Sequence, residues 1–107
     1  MSMPAIKEKM VQADGIRLHV TETGNPEGPV LVWLHGAGPG ASGMDNFSAN
    51  IDSFSGFRNL VFDFPRYGKS DKPAVKEPLF SYNARQVIAA LDTLGVKKAT
   101  MIGNSMG

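Results

Sequence analysis

The last five residues of the chain, Gly103-Asn104-Ser105-Met106-Gly107, constrain its fold more than any other stretch. They follow the apolar residues 99–102, which we predict to form a buried strand. A Gly-x-Ser-x-Gly pattern after a strand is typical of a sharp strand-to-helix turn that holds a serine strained and exposed. Glycine is needed on both sides because neighbouring side chains would clash in that turn. The pattern alone also fits an ordinary glycine-rich turn, so the rest of the chain must decide.

Composition narrows the classes of protein that fit. The 107 residues suffice for one domain, and a hydrophobic content of 42% with a net charge of +1 indicates a globular chain that binds neither nucleic acid nor membranes. The absence of cysteine excludes disulfide scaffolds and zinc–thiolate sites. Residues 1–9 lack the apolar segment of a signal peptide, so we expect a cytoplasmic protein.

The first half of the chain predicts three strands. Residues 9–13 and 16–21 favour two strands joined by a turn at Asp14-Gly15. Apolar and polar residues alternate in the second strand, which puts His19 on a solvent-facing side and argues against a ligand or catalytic role. Residues 30–34 are apolar throughout, as in a central strand of a parallel sheet covered on both faces.

The second half predicts helices between strands. Phe47, Ile51 and Phe54 recur at helical spacing and favour one short helix that ends at Gly56. Residues 60–64 favour a buried strand, and residues 81–94 a helix with Ser81 as N-cap and Gly95 as its stop. The apolar face of that helix comprises Ala84, Val87, Ile88 and Leu91. This order predicts an α/β fold with a mixed, mostly parallel sheet and flanking helices.

The glycine-rich stretch His35-Gly36-Ala37-Gly38-Pro39-Gly40 follows the central strand. Glycines at a strand end let backbone amides face a ligand without obstruction by side chains. The Gly-Lys-Ser/Thr ending of a phosphate loop is absent, and Pro39 stands where a dinucleotide motif needs a tight turn. A loop of this kind instead supplies the second oxyanion donor beside a serine at a strand-to-helix turn.

With both motifs placed, the chain resembles the N-terminal part of an α/β-hydrolase. More narrowly, it is similar to the meta-cleavage-product hydrolases, which cut carbon–carbon bonds in ring-opened products of aromatic degradation. The resemblance runs from about Asp14 to the end and is carried by the glycine-rich stretch, by Asn46 and by the five terminal residues. The aminopeptidase relatives usually have a loop one residue shorter. Haloalkane dehalogenases and epoxide hydrolases place aspartate where this chain has Ser105.

The resemblance implies roles for particular residues. Ser105 is the nucleophile or activates a water, and the amides of Ala37 and Met106 form the oxyanion hole. The residues around the polar end of a small dienoate substrate are Gly36, Gly38, Asn46 and Asn104. The residues alone leave simpler alternatives open, because Asn46 could cap the short helix and Asn104 could serve only the turn.

The resemblance also implies what lies outside the chain. No metal or organic cofactor is expected, and a homo-oligomer of the full-length protein is compatible with the resemblance. The catalytic acid, the base and the lid are expected beyond residue 107, so residues 1–107 form the N-terminal part of one core domain that is inactive alone. His35 precedes Ser105, whereas the triad order on this fold is serine, acid, histidine, so we interpret His35 as structural.

The residues leave two other functions open, and one position of the sequence departs from the family pattern. An ester hydrolase on the same fold shares the serine turn, and a non-catalytic binding protein could reuse the fold. Relatives usually have glycine at the position of Arg66. If that position takes a positive φ, arginine costs about 1 kcal/mol or more there.

Overall fold

The computed structural model describes residues 6–36 and 41–104. They form β1 (Lys7–Gln12), β2 (Arg17–Gly24), β3 (Val30–Leu34), α1 (Gly43–Phe47), a 3₁₀ turn (Ile51–Phe54), β4 (Arg58–Phe62), α2 (Leu79–Thr93) and β5 (Thr100–Gly103). The predicted order of strands and helices is confirmed. The single helix predicted over residues 47–54 is wrong, since a turn divides it into α1 and the 3₁₀ turn. Within the described ranges, no helix combines the length and apolarity needed to span a bilayer.

The five strands form one mixed sheet in the order β1-β2-β4-β3-β5. The two pairings of β2, with β1 and with β4, are antiparallel, whereas β3 pairs in parallel with β4 and β5. The predicted mixed sheet with flanking helices is confirmed. Because β3, β4 and β5 run the same way, their carboxyl ends lie at one edge of the sheet, where α/β folds place their ligands.

One face of the sheet packs against α2. Its core contains Leu18, Val32 and Phe62 from the strands and Val87 and Leu91 from the helix. Fully buried Gln86 ties α2 to the β1–β2 turn, accepting a hydrogen bond from Asp14 N–H (2.9 Å) and donating one to Asp14 O (2.9 Å). A buried polar side chain is tolerated when its hydrogen bonds are made, and here both are.

The opposite face packs around Trp33. Its indole lies 5.1 Å from the Phe47 ring and 5.3 Å from the Phe54 ring, and Nε1–H donates to Asn59 Oδ1 at 3.0 Å. Phe47, Ile51 and Phe54 therefore share one apolar surface as predicted, although the helix between them is interrupted. A short 3₁₀ segment can keep side chains on the sheet where a continuous α-helix is not formed.

The ends and face of α2 differ from prediction at three positions. Ser81 is not the N-cap, because the helix begins after Pro78, whose carbonyl accepts Tyr82 N–H at 3.0 Å. Ala84 and Ile88 are exposed, whereas the buried face of α2 includes Tyr82, Gln86 and Ala90. The predicted stop at Gly95 is confirmed.

Gly95 ends α2 by a well-defined cap. Its φ is +74°, its N–H donates to Asp92 O at 3.0 Å, and Val96 N–H donates to Leu91 O at 2.9 Å. This pair of bonds is the Schellman motif, in which glycine takes the left-handed position without strain.

The prediction that His19 lies on a solvent-facing side of β2 is wrong. His19 is only 7% exposed, and its Nδ1 and Nε2 lie 2.8 Å from Asp63 Oδ2 and 3.0 Å from Glu8 Oε1. The alternation of residues is real, but the Glu8 side chain from β1 and Asp63 after β4 contact the ring of His19 on the polar face of β2. On the same strand, burial tends to raise the pKa of the Glu22 carboxyl, but bonds and charges from Arg58 and Lys9 hold that pKa below its ordinary value.

Arg66 keeps the backbone conformation expected of a glycine. Its φ is +74°, and its N–H donates to Asp71 O at 2.9 Å, which closes the turn after β4. The left-handed conformation costs a residue with a Cβ about 1–2 kcal/mol, and the bonds of this turn offset that cost.

β5 is an edge strand in the part of the chain that the structure describes. It pairs with β3 on one side, and no strand of the described residues pairs with its other side. Met101 is 49% exposed and borders an apolar groove of about 250 Å³, which Phe80 and Ile88 also line. The prediction of a buried strand here is therefore wrong, because burial of β5 would need a second neighbour.

We expect the isolated 107-residue chain to self-associate. An unpaired strand edge beside an apolar groove is a template for intermolecular pairing. Sedimentation velocity and near-UV circular dichroism of the purified chain should show oligomers or weak tertiary signals, and Met101→Lys should reduce the association. A soluble monomer with a cooperative thermal transition would contradict this expectation.

Candidate active site

Three of the predicted site residues meet at the carboxyl ends of β3 and β5. Asn46 Oδ1, from α1, accepts Gly36 N–H at 2.7 Å and lies 3.1 Å from Asn104 Nδ2. Asn104 follows β5, and its backbone N–H donates to Leu34 O at 3.0 Å. Gly36, just after β3, and Asn104, just after β5, thus converge on one side-chain oxygen.

These contacts determine how both asparagine amides point. Gly36 N–H can only donate, so the Asn46 atom facing it must be the oxygen. That oxygen in turn requires the amino group of Asn104. These bonds do not use the Nδ2 group of Asn46 or the second N–H of Asn104 Nδ2. Both groups are donors and can bind only an acceptor. The Gly36 N–H already donates to Asn46 and is therefore not a donor for a ligand. Gly36 is buried and adds no side chain to the site.

Asn46 does not cap its helix. The N-cap is Ser42, whose Oγ accepts Asp45 N–H at 3.2 Å. The alternative of a purely capping asparagine is therefore wrong, and the half-buried Asn46 side chain faces the strand ends.

His35 has both ring nitrogens engaged in the backbone. Phe64 N–H donates to Nε2 at 2.9 Å, so Nε2 carries no proton and Nδ1–H donates to Gly36 O at 2.7 Å. The ring is fully buried and packs edge-on against Phe64 and Tyr67. This geometry agrees with the structural interpretation of His35 and leaves it no nitrogen for base catalysis.

The remaining predicted site residues lie outside the described residues. They are Ala37, Gly38, Ser105 and Met106. Their roles as oxyanion donors, substrate neighbour and nucleophile stay predictions.

Residues 29–107 match the family model described as the alpha/beta hydrolase fold. This chain belongs to the α/β-hydrolase fold family. A 2-hydroxy-6-oxononadienedioate/2-hydroxy-6-oxononatrienedioate hydrolase of Paraburkholderia phymatum is 45% identical over 94 residues, which are 86% of this chain and 32% of that protein. A 2-hydroxy-6-oxo-6-phenylhexa-2,4-dienoate hydrolase of Burkholderia cepacia is 41% identical over 93 residues, which are 85% of this chain and 32% of that protein.

A solved structure agrees with these relatives. The 2-hydroxy-6-oxo-6-phenylhexa-2,4-dienoate hydrolase from Rhodococcus sp. strain RHA1 superposes with a TM-score of 0.90 at 28% identity, covering 98% of this chain and 39% of that one. The two curated relatives named above are meta-cleavage-product hydrolases. The chain spans about a third of the length of the curated relatives it matches.

Sequence reasoning missed one buried carboxylate in this α/β-hydrolase segment. Asp63 follows β4 and is 5% exposed, and its Oδ1 accepts Gly43 N–H at 2.8 Å. Its Oδ2 accepts Lys69 N–H at 3.1 Å and contacts His19 Nδ1. An aspartate directly after a buried strand was the available signal. Within the described residues, no group of three or more His, Cys, Asp or Glu side chains could hold a metal ion.

Proposed function

We propose that this chain is the N-terminal part of a serine-dependent hydrolase that cleaves a carbon–carbon bond in ring-opened dienoates. In this proposal residues 1–107 belong to one core domain, and the remainder of the complete protein supplies the catalytic acid, the base and the lid. The activities of the relatives support this reaction class. Within the chain, the observation that carries the proposal is the pair of asparagine amides oriented as donors at the strand ends.

The chemistry of a dienoate suits that donor pair. Its carboxylate offers only acceptor oxygens, and the Nδ2 groups of Asn46 and Asn104 supply only donors. Hydrogen bonds to a charged group are shorter and stronger than neutral ones, so this end of the substrate is held firmly. Gly36 and Gly38 let the substrate approach the backbone closely.

The reacting end of the substrate lies toward the serine turn in this proposal. The dienol first ketonises, and Ser105 or a water that it activates then adds to the carbonyl carbon. Collapse of the resulting oxyanion breaks the carbon–carbon bond, and the electron pair leaves with the conjugated fragment as a dienolate, which takes up the proton released by the serine or the water. If the serine itself adds, a water then hydrolyses the acyl-serine. The amides of Ala37 and Met106 stabilise the oxyanion, because preorganised backbone donors bind developing charge best. Substrate binding by the asparagines and bond cleavage by the serine are thus separate tasks.

Replacement of Asn46 in the complete protein tests the substrate site. We expect Asn46→Ala to raise KM and to lower kcat/KM by about 10- to 100-fold, since it removes a hydrogen bond to a charged group. Asn46→Asp should raise KM further, because a carboxylate there repels the substrate's own carboxylate. Steady-state kinetics with a ring-opened dienoate would measure both effects.

Asn50→Ala is the matched control, because Asn50 is an exposed asparagine just beyond α1 whose side chain makes no capping bond. Its kinetic constants should equal those of the unmodified enzyme. Unchanged constants for Asn46→Ala would return Asn46 to a structural role. Faster turnover of a nitrophenyl ester than of any dienoate would instead favour the ester hydrolase.

A further inference from the structure

The segment that follows β4 binds both the end of β3 and the start of α1. Asp63 Oδ1 accepts the N–H of Gly43, and Phe64 N–H donates to His35, which bonds Gly36 O. Residues 63–64 therefore anchor Gly36 and Gly43. Of the residues in these bonds, we place only Gly36 near the substrate's polar end.

Asp63 accepts the N–H of Gly43, for which α1 itself supplies no acceptor. Gly43 is the first residue of α1, and N–H groups of a first helical turn have no partners within the helix. A helix of five residues has little stability of its own, so its position depends on contacts with the rest of the fold. A Cβ on Gly43 would lie 2.5 Å from Phe62 O, which shows how closely α1 approaches β4.

The carboxylate of Asp63 is itself fixed from the other side. Its Oδ2 contacts His19 Nδ1 at 2.8 Å and accepts Lys69 N–H at 3.1 Å. A Cβ on Gly68 would collide with it, so the turn after β4 packs directly on the carboxylate. An oxygen held by two contacts in this way has little freedom to move.

We propose that Asp63 is a positioning residue for the asparagine pair, an inference that rests on the proposed function. By fixing Gly43, Asp63 sets the place of α1, and Asn46 lies three residues further along that helix. Asn46 Oδ1 then reaches Gly36 N–H and the Asn104 amide together. Asp63 contacts no substrate in this arrangement and acts only through Asn46.

The kinetic test uses Asp63→Asn in the complete protein. This variant keeps the size of the side chain but replaces one acceptor oxygen by an amino group that cannot accept N–H donors. We expect KM for a dienoate to rise by about 10-fold, since small misplacements of a binding group have effects of this order. Asp71→Asn is the matched control, because Asp71 accepts Arg17 N–H at 2.8 Å, a carboxylate–amide bond far along the chain from α1.

A double-mutant cycle separates positioning from general stability. If Asp63 acts through Asn46, Asp63→Asn should add little to the loss of kcat/KM in an Asn46→Ala background. Additive losses would overturn the proposal. Equal KM values for Asp63→Asn and Asp71→Asn would overturn it as well.

A second measurement does not depend on activity. In ¹⁵N spectra, Asp63→Asn should shift the Gly36 backbone amide and the Asn46 side-chain amide, and Asp71→Asn should leave both in place. If the unmodified protein turns over no dienoate but these shifts occur, the proposed function fails and the positioning role stands. Unmoved Gly36 and Asn46 signals overturn the positioning role whatever the activity.

Hydrogen exchange of the unmodified protein covers the case in which Asp63→Asn fails to fold. The Gly43 amide proton should exchange much more slowly than that of Met44, the next residue in α1. Equal exchange of the two amides would show that Asp63 does not hold the helix start, and would overturn the proposal.

Discussion

Replacement of Ser105 by alanine in the complete protein is expected to lower kcat by about 10³-fold or more, with substrate affinity nearly unchanged. In the proposed function the serine acts on the reacting carbonyl and the asparagine pair holds the carboxylate at the other end. Removal of the hydroxyl therefore affects the transition state more than the bound substrate. Steady-state kinetics with a dienoate, together with equilibrium binding to the inactive variant, would measure the two effects separately.

Two controls sharpen that experiment. Ser53→Ala removes an exposed serine hydroxyl from the 3₁₀ turn and should leave kcat unchanged. The isolated 107-residue chain should show no turnover, since an unactivated serine is a poor nucleophile and His35 has no free nitrogen to activate it. Saturable turnover by the isolated chain that disappears with Ser105→Ala would contradict this expectation.

Trp33→Ala is expected to lower the free energy of unfolding by about 3–5 kcal/mol. The indole fills the space between β3, Phe47 and Phe54, and its loss leaves a cavity that the sheet cannot close. It also leaves the buried Asn59 Oδ1 without its donor, which adds to the loss. Urea unfolding of the complete protein would measure the difference from its transition midpoint.

Trp33→Phe provides the first control for the cavity, because it keeps an aromatic ring and removes mainly the bond to Asn59. It should cost clearly less than the alanine variant. Ile88→Ala, at a residue that is 56% exposed, should change stability by no more than about 0.5 kcal/mol. An alanine variant no less stable than the phenylalanine variant would show that Trp33 does not fill an essential space.

Local patterns were sufficient to predict the order of elements. Apolar runs mark β3 and β4, and Gly95 stops α2 where a left-handed residue is required. The spacing of Phe47, Ile51 and Phe54 places all three on one surface even though the helix is broken. Periodicity and turn chemistry depend on neighbours in sequence, so they are visible without the fold.

Contacts between distant segments could not be predicted in this way. His19 looks solvent-facing until Asp63, 44 residues later, covers it. Gln86 looks like a surface residue until it meets Asp14 across 72 residues. For the same reason, only the family resemblance placed Asn46 and Asn104 at one site. The contact between Asn46 Oδ1 and the Asn104 amide is visible only in the fold.

The strand order carries a consequence for how this chain acquires its structure during synthesis. β2 and β3 are consecutive in the sequence, yet β4 lies between them in the sheet. Until residues 58–62 have left the ribosome, β3 lacks its β4 partner and β2 is paired only with β1, so residues 7–34 hold only the β1–β2 hairpin. Such non-local pairing slows folding and prolongs exposure of apolar strands. Chaperones would therefore have the most exposed apolar surface to protect before β4 has been synthesised.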